Sequence, residues 1–126
     1  MNSIAKLFLS LGSISGALAV MVGAFGAHGL KAKLTTEMLA IYKTGVEYQF
    51  YHTFALLAVG LLALHFESKL LTASGWSMVS GIVIFSGSLY ALSISGIRVL
   101  GAVTPIGGLF FIAGWVLLAT AIQQNR

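Results

Sequence analysis

The residues of this chain able to move a proton, hold an ion or grip a polar group are few. Only 8% of the sequence is charged, and cysteine is absent. They fall in four places: His28; Glu47, Gln49 and His52; Ser86, Ser88 and Tyr90; and Arg98 with Thr104. The densest stretch is Thr35 to His52, TTEMLAIYKTGVEYQFYH, the one sustained polar passage in a very apolar sequence. His28 and His52 are residue types that ligate metal or haem and relay protons. The plainer role for each is a hydrogen bond to a backbone carbonyl at a helix end. Glu47 with Arg98 suits a polar headgroup or substrate, and equally a structural ion pair between two loops. Gln49 and the serines suit an ion or polar ligand, or interhelical hydrogen bonds of roughly 1 kcal/mol each. The plainer reading is preferred in every case. Without cysteine there is no disulfide, thiolate metal site or thiol redox chemistry. There is also no Asp and no dense carboxylate–histidine cluster, so no metal and no cofactor are expected.

The elements that must position these residues are set by composition. At 58% hydrophobic, and far below the roughly 25% charge of soluble domains, the chain suits lipid as its solvent. The net charge of +4 is scattered, with no run of Lys or Arg, so no nucleic-acid surface is expected. A helical span needs about 20 apolar residues. The apolar stretches predict spans over about 7–27, 48–66, 72–95 and 103–122, in a single membrane domain covering 1–126. The first stretch is too long for a signal-peptide core. The expected fold is all-α: an integral membrane four-helix bundle, up-down, with an amphipathic interfacial helix over about 36–48 between spans one and two.

Local patterns refine this. Gly12, Gly16, Ala19 and Gly23 form a small-residue stripe on span one, which suits close backbone approach and places that span centrally in the bundle. Gly107 and Gly114 mark a second small face on span four. These faces also offer contacts to a second copy or another membrane protein. Gly29 suits a left-handed cap at the end of span one. Thr35 or Thr36 suits an N-cap, with Glu37 in the first turn where a negative charge favours the helix dipole. From there Met38, Leu39, Tyr42, Val46 and Phe50 fall on one helix face; Glu37, Lys43, Thr44, Glu47, Tyr48 and Tyr51 fall on the other. Lys43 and Glu47 are spaced to pair. Thr104 followed by Pro105 reads as an N-cap and first helical turn.

Up-down topology brings the end of span one, the start of span two, the end of span three and the start of span four to one membrane side. All four polar places lie there. The expectation is a polar cavity on the loop-one side lined by His28, Glu47, Gln49, His52, Ser86, Ser88, Tyr90, Arg98 and Thr104. Intramembrane polar groups are costly and call for a partner or a function.

Four motifs in order, GAFGAHGL at 23–30, GVEYQFYHT at 45–53, FSGSLY at 85–90 and TPIGG followed by Gly114-Trp115, resemble a family of small bacterial inner-membrane proteins. It is known as domain of unknown function 423, or uncharacterised protein family 0382. The resemblance covers essentially the whole chain. It implies four membrane helices in the bacterial inner membrane with both termini cytoplasmic, the side of Lys6, Lys69 and Arg126. It implies no activity, ligand or catalytic residue.

Three functions are compatible with these features. A structural, lipid-binding or assembly factor, in contact with the lipid bilayer, asks least of the sequence and ranks first. A small transporter or channel subunit ranks second, because no ionisable group lies near the middle of any span. A histidine-ligated redox membrane protein ranks third, and enzymatic activity is not favoured.

Overall fold

The computed structural model describes residues 1–125; Arg126, counted above for orientation, lies outside the described residues. Every regular element among the described residues is a helix, and there are no strands among them. Helix α1 spans Ser3–Phe25 and runs on through a π-helical turn, Gly26–Leu30. Helix α2 spans Thr36–Ala63. Helix α3, Lys69–Gly81, passes through a second π-helical turn, Ile82–Ser86, into α4, Gly87–Ser95. A 3-10 turn, Arg98–Ala102, leads into α5, Thr104–Gln124. Three continuous rods are long and apolar enough to cross a membrane: Ser3–Leu30, Lys69–Ser95 and Arg98–Gln124.

The starts are set by short polar side chains. Asn2 caps α1 by accepting from the Ala5 amide at 2.8 Å, and its own amide donates to the Ala63 carbonyl at 2.9 Å. That one residue pins the beginning of α1 to the end of α2. Thr35 caps α2 through the Met38 amide, as its sequence position suggests. Ser68 caps α3 through the Leu71 amide.

Helix α2 is the centre of the molecule, and this corrects the central place expected for span one. Ten α2 residues are buried, against four in α1. The same fact explains why α2 is not among the three rods apolar enough to span on their own. Gln49, His52 and Thr53 lower its hydropathy, but all three point inward and are at least 95% buried. There is no break near residue 48: the amphipathic piece and the expected second span form one uninterrupted helix.

Other local expectations are also revised. Gly29 takes no left-handed conformation; the only positive φ among the described residues is Gly96, which caps α4. The chain leaves α1 through the π-helical turn instead, and Leu30 then accepts bonds from the Lys33 and Leu34 amides. Thr104 does not cap α5 with its side chain, because its hydroxyl is engaged by Ser88 at 2.6 Å.

The small residues face neighbours within the chain. A methyl on Gly12 would lie 2.8 Å from the Leu57 side chain. Gly16 looks onto Thr53 and Gly23 onto Val46, while Ala19 is fully buried. Gly107 sits against the backbone of Phe85, and Gly114 against the Met78 sulfur. Small positions on α1 thus receive α2, and those on α5 receive α3 and the second π-helical turn. Both pairs run antiparallel, since rising residue numbers on one helix meet falling numbers on the other. Phe8, Leu56, Val59, Leu71 and Met78 form the apolar core nearer the terminal end.

Candidate functional site: an interhelical polar network around α2

The stretch of α2 from Gly45 to Thr53 carries the densest set of polar contacts between helices. Gln49 is the centre. Its amide nitrogen donates to the Ser15 carbonyl of α1 at 3.0 Å, and its amide oxygen accepts from the Tyr90 hydroxyl of α4 at 2.6 Å. One side chain therefore ties three helices. Ser15 adds a hydroxyl contact to Thr53 at 2.7 Å. One turn earlier, Ser86 donates to the Gly45 carbonyl at 2.7 Å. The absence of a side chain at Gly45 leaves room for the Tyr90 ring, since a methyl there would lie 2.8 Å from it. Tyr42 donates to the Val22 carbonyl across to α1, and its ring packs against that of Tyr90.

His52 belongs to a second group, shared with α5. Its Nδ1 lies 2.7 Å from the Tyr48 carbonyl. A carbonyl only accepts, so Nδ1 carries the proton. Nε2 is then the free lone pair, and it accepts from the Trp115 indole N–H at 3.1 Å. The ring also stacks on Phe111, with centroids 3.4 Å apart and planes 10° apart. Both nitrogens of this neutral imidazole are occupied by protein, so no lone pair faces out to a metal or haem. Among the described residues, no three His, Asp or Glu side chains come within reach of a common ion.

The remaining expected residues are dispersed. Ser88 donates to the Phe85 carbonyl at 2.9 Å and its hydroxyl meets that of Thr104 at 2.6 Å, linking the start of α4 to the start of α5. His28 is exposed on the first π-helical turn, and Glu47 is exposed on α2. Arg98 pairs with Glu37, not with Glu47, at 3.0 Å and largely exposed. The Arg98 guanidinium holds the Glu37 carboxyl below its ordinary value, first by hydrogen bonding and then by charge. Lys43 and Glu47 form no ion pair within 4.0 Å. Every buried side-chain nitrogen and oxygen among the described residues has a partner.

Three members of this network were not among the polar-site residues expected from sequence: Ser15, Thr53 and Trp115. Each left a trace. Ser15 lies within the small-residue stripe of α1, Thr53 directly follows His52, and Trp115 sits mid-helix, away from the membrane edge where tryptophan is enriched. A cleft of about 540 Å³ lies at the opposite end of the molecule, between Asn2, Ala63, Phe66 and Ser68.

The family model described as "Protein of unknown function (DUF423)" matches residues 22–108, a stretch that contains Gln49, His52, Ser86 and Tyr90. The chain belongs to the DUF423 family. It is 47% identical over 121 residues to the UPF0382 membrane protein YwdK of Bacillus subtilis, covering 92% of this chain and 95% of that protein. A UPF0382 membrane protein of Staphylococcus haemolyticus is 46% identical, covering 90% and 92%. One from Staphylococcus aureus strain USA300 is also 46% identical, covering 92% and 94%. No solved structure matches the chain. With bacterial relatives named as membrane proteins and three apolar rods, this is a membrane protein of unknown activity.

Proposed function

We propose that the protein is an up-down four-helix bundle of the bacterial inner membrane that serves as a structural, lipid-binding or assembly factor. In this reading the Gln49 and His52 groups are interhelical clamps rather than a transport path or a redox centre. The observation that carries it is the complete pairing of buried side-chain nitrogen and oxygen atoms among the described residues. A transport path needs polar groups that exchange partners with a cargo, whereas these side chains are engaged by carbonyls, hydroxyls and an indole of the same chain. The clamps suit a bilayer, where an unpaired polar group is costly and helices gain nothing from excluding water. Helix α2 crosses as the fourth span, shielded by α1, α4 and α5, and its first turns, from about residue 36, lie at the interface with Glu37 and Lys43 exposed. Both termini are cytoplasmic. Because the small faces of α1 and α5 are occupied within the chain, a partner protein would meet the bulky outer surfaces instead.

Two experiments test this. Since the chain has no cysteine, Lys33→Cys and Glu67→Cys can be labelled one at a time in intact cells. Lys33→Cys should react with an impermeant maleimide, and Glu67→Cys only after permeabilisation; the reverse pattern inverts the orientation. Proteoliposomes should hold an imposed pH gradient as long as protein-free vesicles do. A leak abolished by Glu47→Gln would replace this reading with the transporter.

A further inference from the structure

Helix α1 meets α3 at Phe8, whose ring lies over Gly75 and edge-on to Trp76 at 5.7 Å. Further along, the two helices leave a groove of about 200 Å³. Leu11, Ile14 and Leu18 form one wall, Val79 and Val83 the other, and Leu56 of α2 the floor. These residues fall in the middle of Ser3–Leu30 and of Lys69–Ser95, two of the rods long enough to cross a membrane. The groove is therefore at mid-bilayer depth. The far wall runs onto the second π-helical turn, Ile82–Ser86. Gln49 and Ser15 also border it, but the Gln49 amide is engaged by Ser15 and Tyr90, and the Ser15 hydroxyl meets Thr53, leaving an apolar surface.

We propose that this groove holds an acyl chain of a bilayer lipid, seated between α1 and α3. The inference rests on the membrane-spanning, lipid-binding reading above. The alternative occupant, a helix of a second copy, fits poorly. A helix with its side chains is about 10 Å across, too wide for a space this small. Helix contacts in membranes are also enriched in small residues, and the small residues of α1 are turned toward α2. The rims are bulky and open instead: Ile14, Leu18 and Val83 are 57%, 48% and 66% exposed. A run of methylenes packs along such a slot as a side chain would, gaining dispersion contacts on both walls and the floor.

The test is photolabelling of the full chain in phosphatidylethanolamine–phosphatidylglycerol vesicles doped with a phosphatidylcholine carrying a mid-chain diazirine, with adducts mapped by mass spectrometry. Ile112 and Val116 of α5, both exposed, report ordinary lipid contact. Adducts should be severalfold enriched at Leu11–Leu18 and Val79–Val83 over the α5 face. Val83→Phe should remove the enrichment while leaving α5 labelling unchanged. Val79→Phe is the second filler, and helicity after reconstitution shows that either variant is folded. Equal labelling of groove and α5 overturns the proposal, as does a crosslinked dimer through a photoreactive residue at Ile14. Loss of labelling on both faces overturns the membrane-spanning reading itself, and so is distinguishable from failure of the groove alone.

Discussion

At the scale of single residues, the network makes sharp demands on protonation and partners. His52 must be the Nδ1–H tautomer, because Tyr48 offers only a carbonyl and Trp115 only a donor. Nitrogen NMR of imidazole-labelled protein should therefore show a protonated Nδ1 and a bare, hydrogen-bonded Nε2 at neutral pH. Trp115→Phe should shift the Nε2 resonance toward that of an unbonded lone pair, without reversing the tautomer. A charged ring or an Nε2–H tautomer would sink the assignment. Tyr90→Phe removes the donor to the Gln49 oxygen and should destabilise the protein by about 1 kcal/mol, the scale of interhelical hydrogen bonds in membranes. Reversible unfolding in bicelles measures it. No change in stability would show that the Gln49 bridge between α1 and α4 is dispensable.

At the scale of elements, close approach of helices depends on particular glycines and not on others. A methyl at Gly107 would run into the Phe85 backbone, which cannot move aside as a flexible side chain can. Gly107→Ala should cost about 1–3 kcal/mol, the range for overpacking a well-filled interior. Gly87 has open space around it and ordinary helical torsions as the first residue of α4. Gly87→Ala should be neutral or stabilising by up to about 1 kcal/mol, since alanine loses less backbone freedom on entering a helix. The pair of variants, compared in the same unfolding assay, separates helix approach from helix propensity. Both lie next to the second π-helical turn, so they also test whether that turn is held by its contact with α5.

For the whole molecule, the loop-one end is fastened by one exposed ion pair and the terminal end by Asn2. Arg98 lowers the Glu37 pKa from its ordinary 4.5. Its contribution to stability is therefore fully present above 4.5 and is lost as pH falls through the depressed folded value. Stability of the wild type should fall relative to Glu37→Gln only in that acidic window, and salt should shrink the difference. Both partners are exposed, so the effect near neutrality is small. A difference that instead appeared between neutral and mildly basic pH would point to another titrating group. The pair still sets geometry, because it joins the start of α2 to the turn before α5, elements 61 residues apart in sequence.

Much of the fold was legible in the sequence, for a local reason. Lipid rewards apolar residues one at a time, and a helix satisfies its own backbone, so composition and run length locate the rods without knowledge of their neighbours. Thr35 announced the start of α2, and the wheel separated Tyr42, which the structure buries, from Glu37, Lys43 and Glu47, which it exposes. The interruptions at Gly26–Leu30 and Ile82–Ser86 were not legible, since π-helical turns have no local signature as strong as Gly or Pro and arise where packing against α2 and α5 selects them. The candidate site was legible as a list of polar residues but not as pairings. Glu47 was the expected partner for Arg98; only the tertiary structure puts Glu37 in reach instead. Sequence placed Gln49 and His52 at the outer part of an apolar span, which obliges them to find partners. That those partners are Tyr90, 41 residues away, and Trp115, 63 residues away, was decided by how the helices pack, because such contacts depend on the relative rotation and depth of rods that no local pattern encodes.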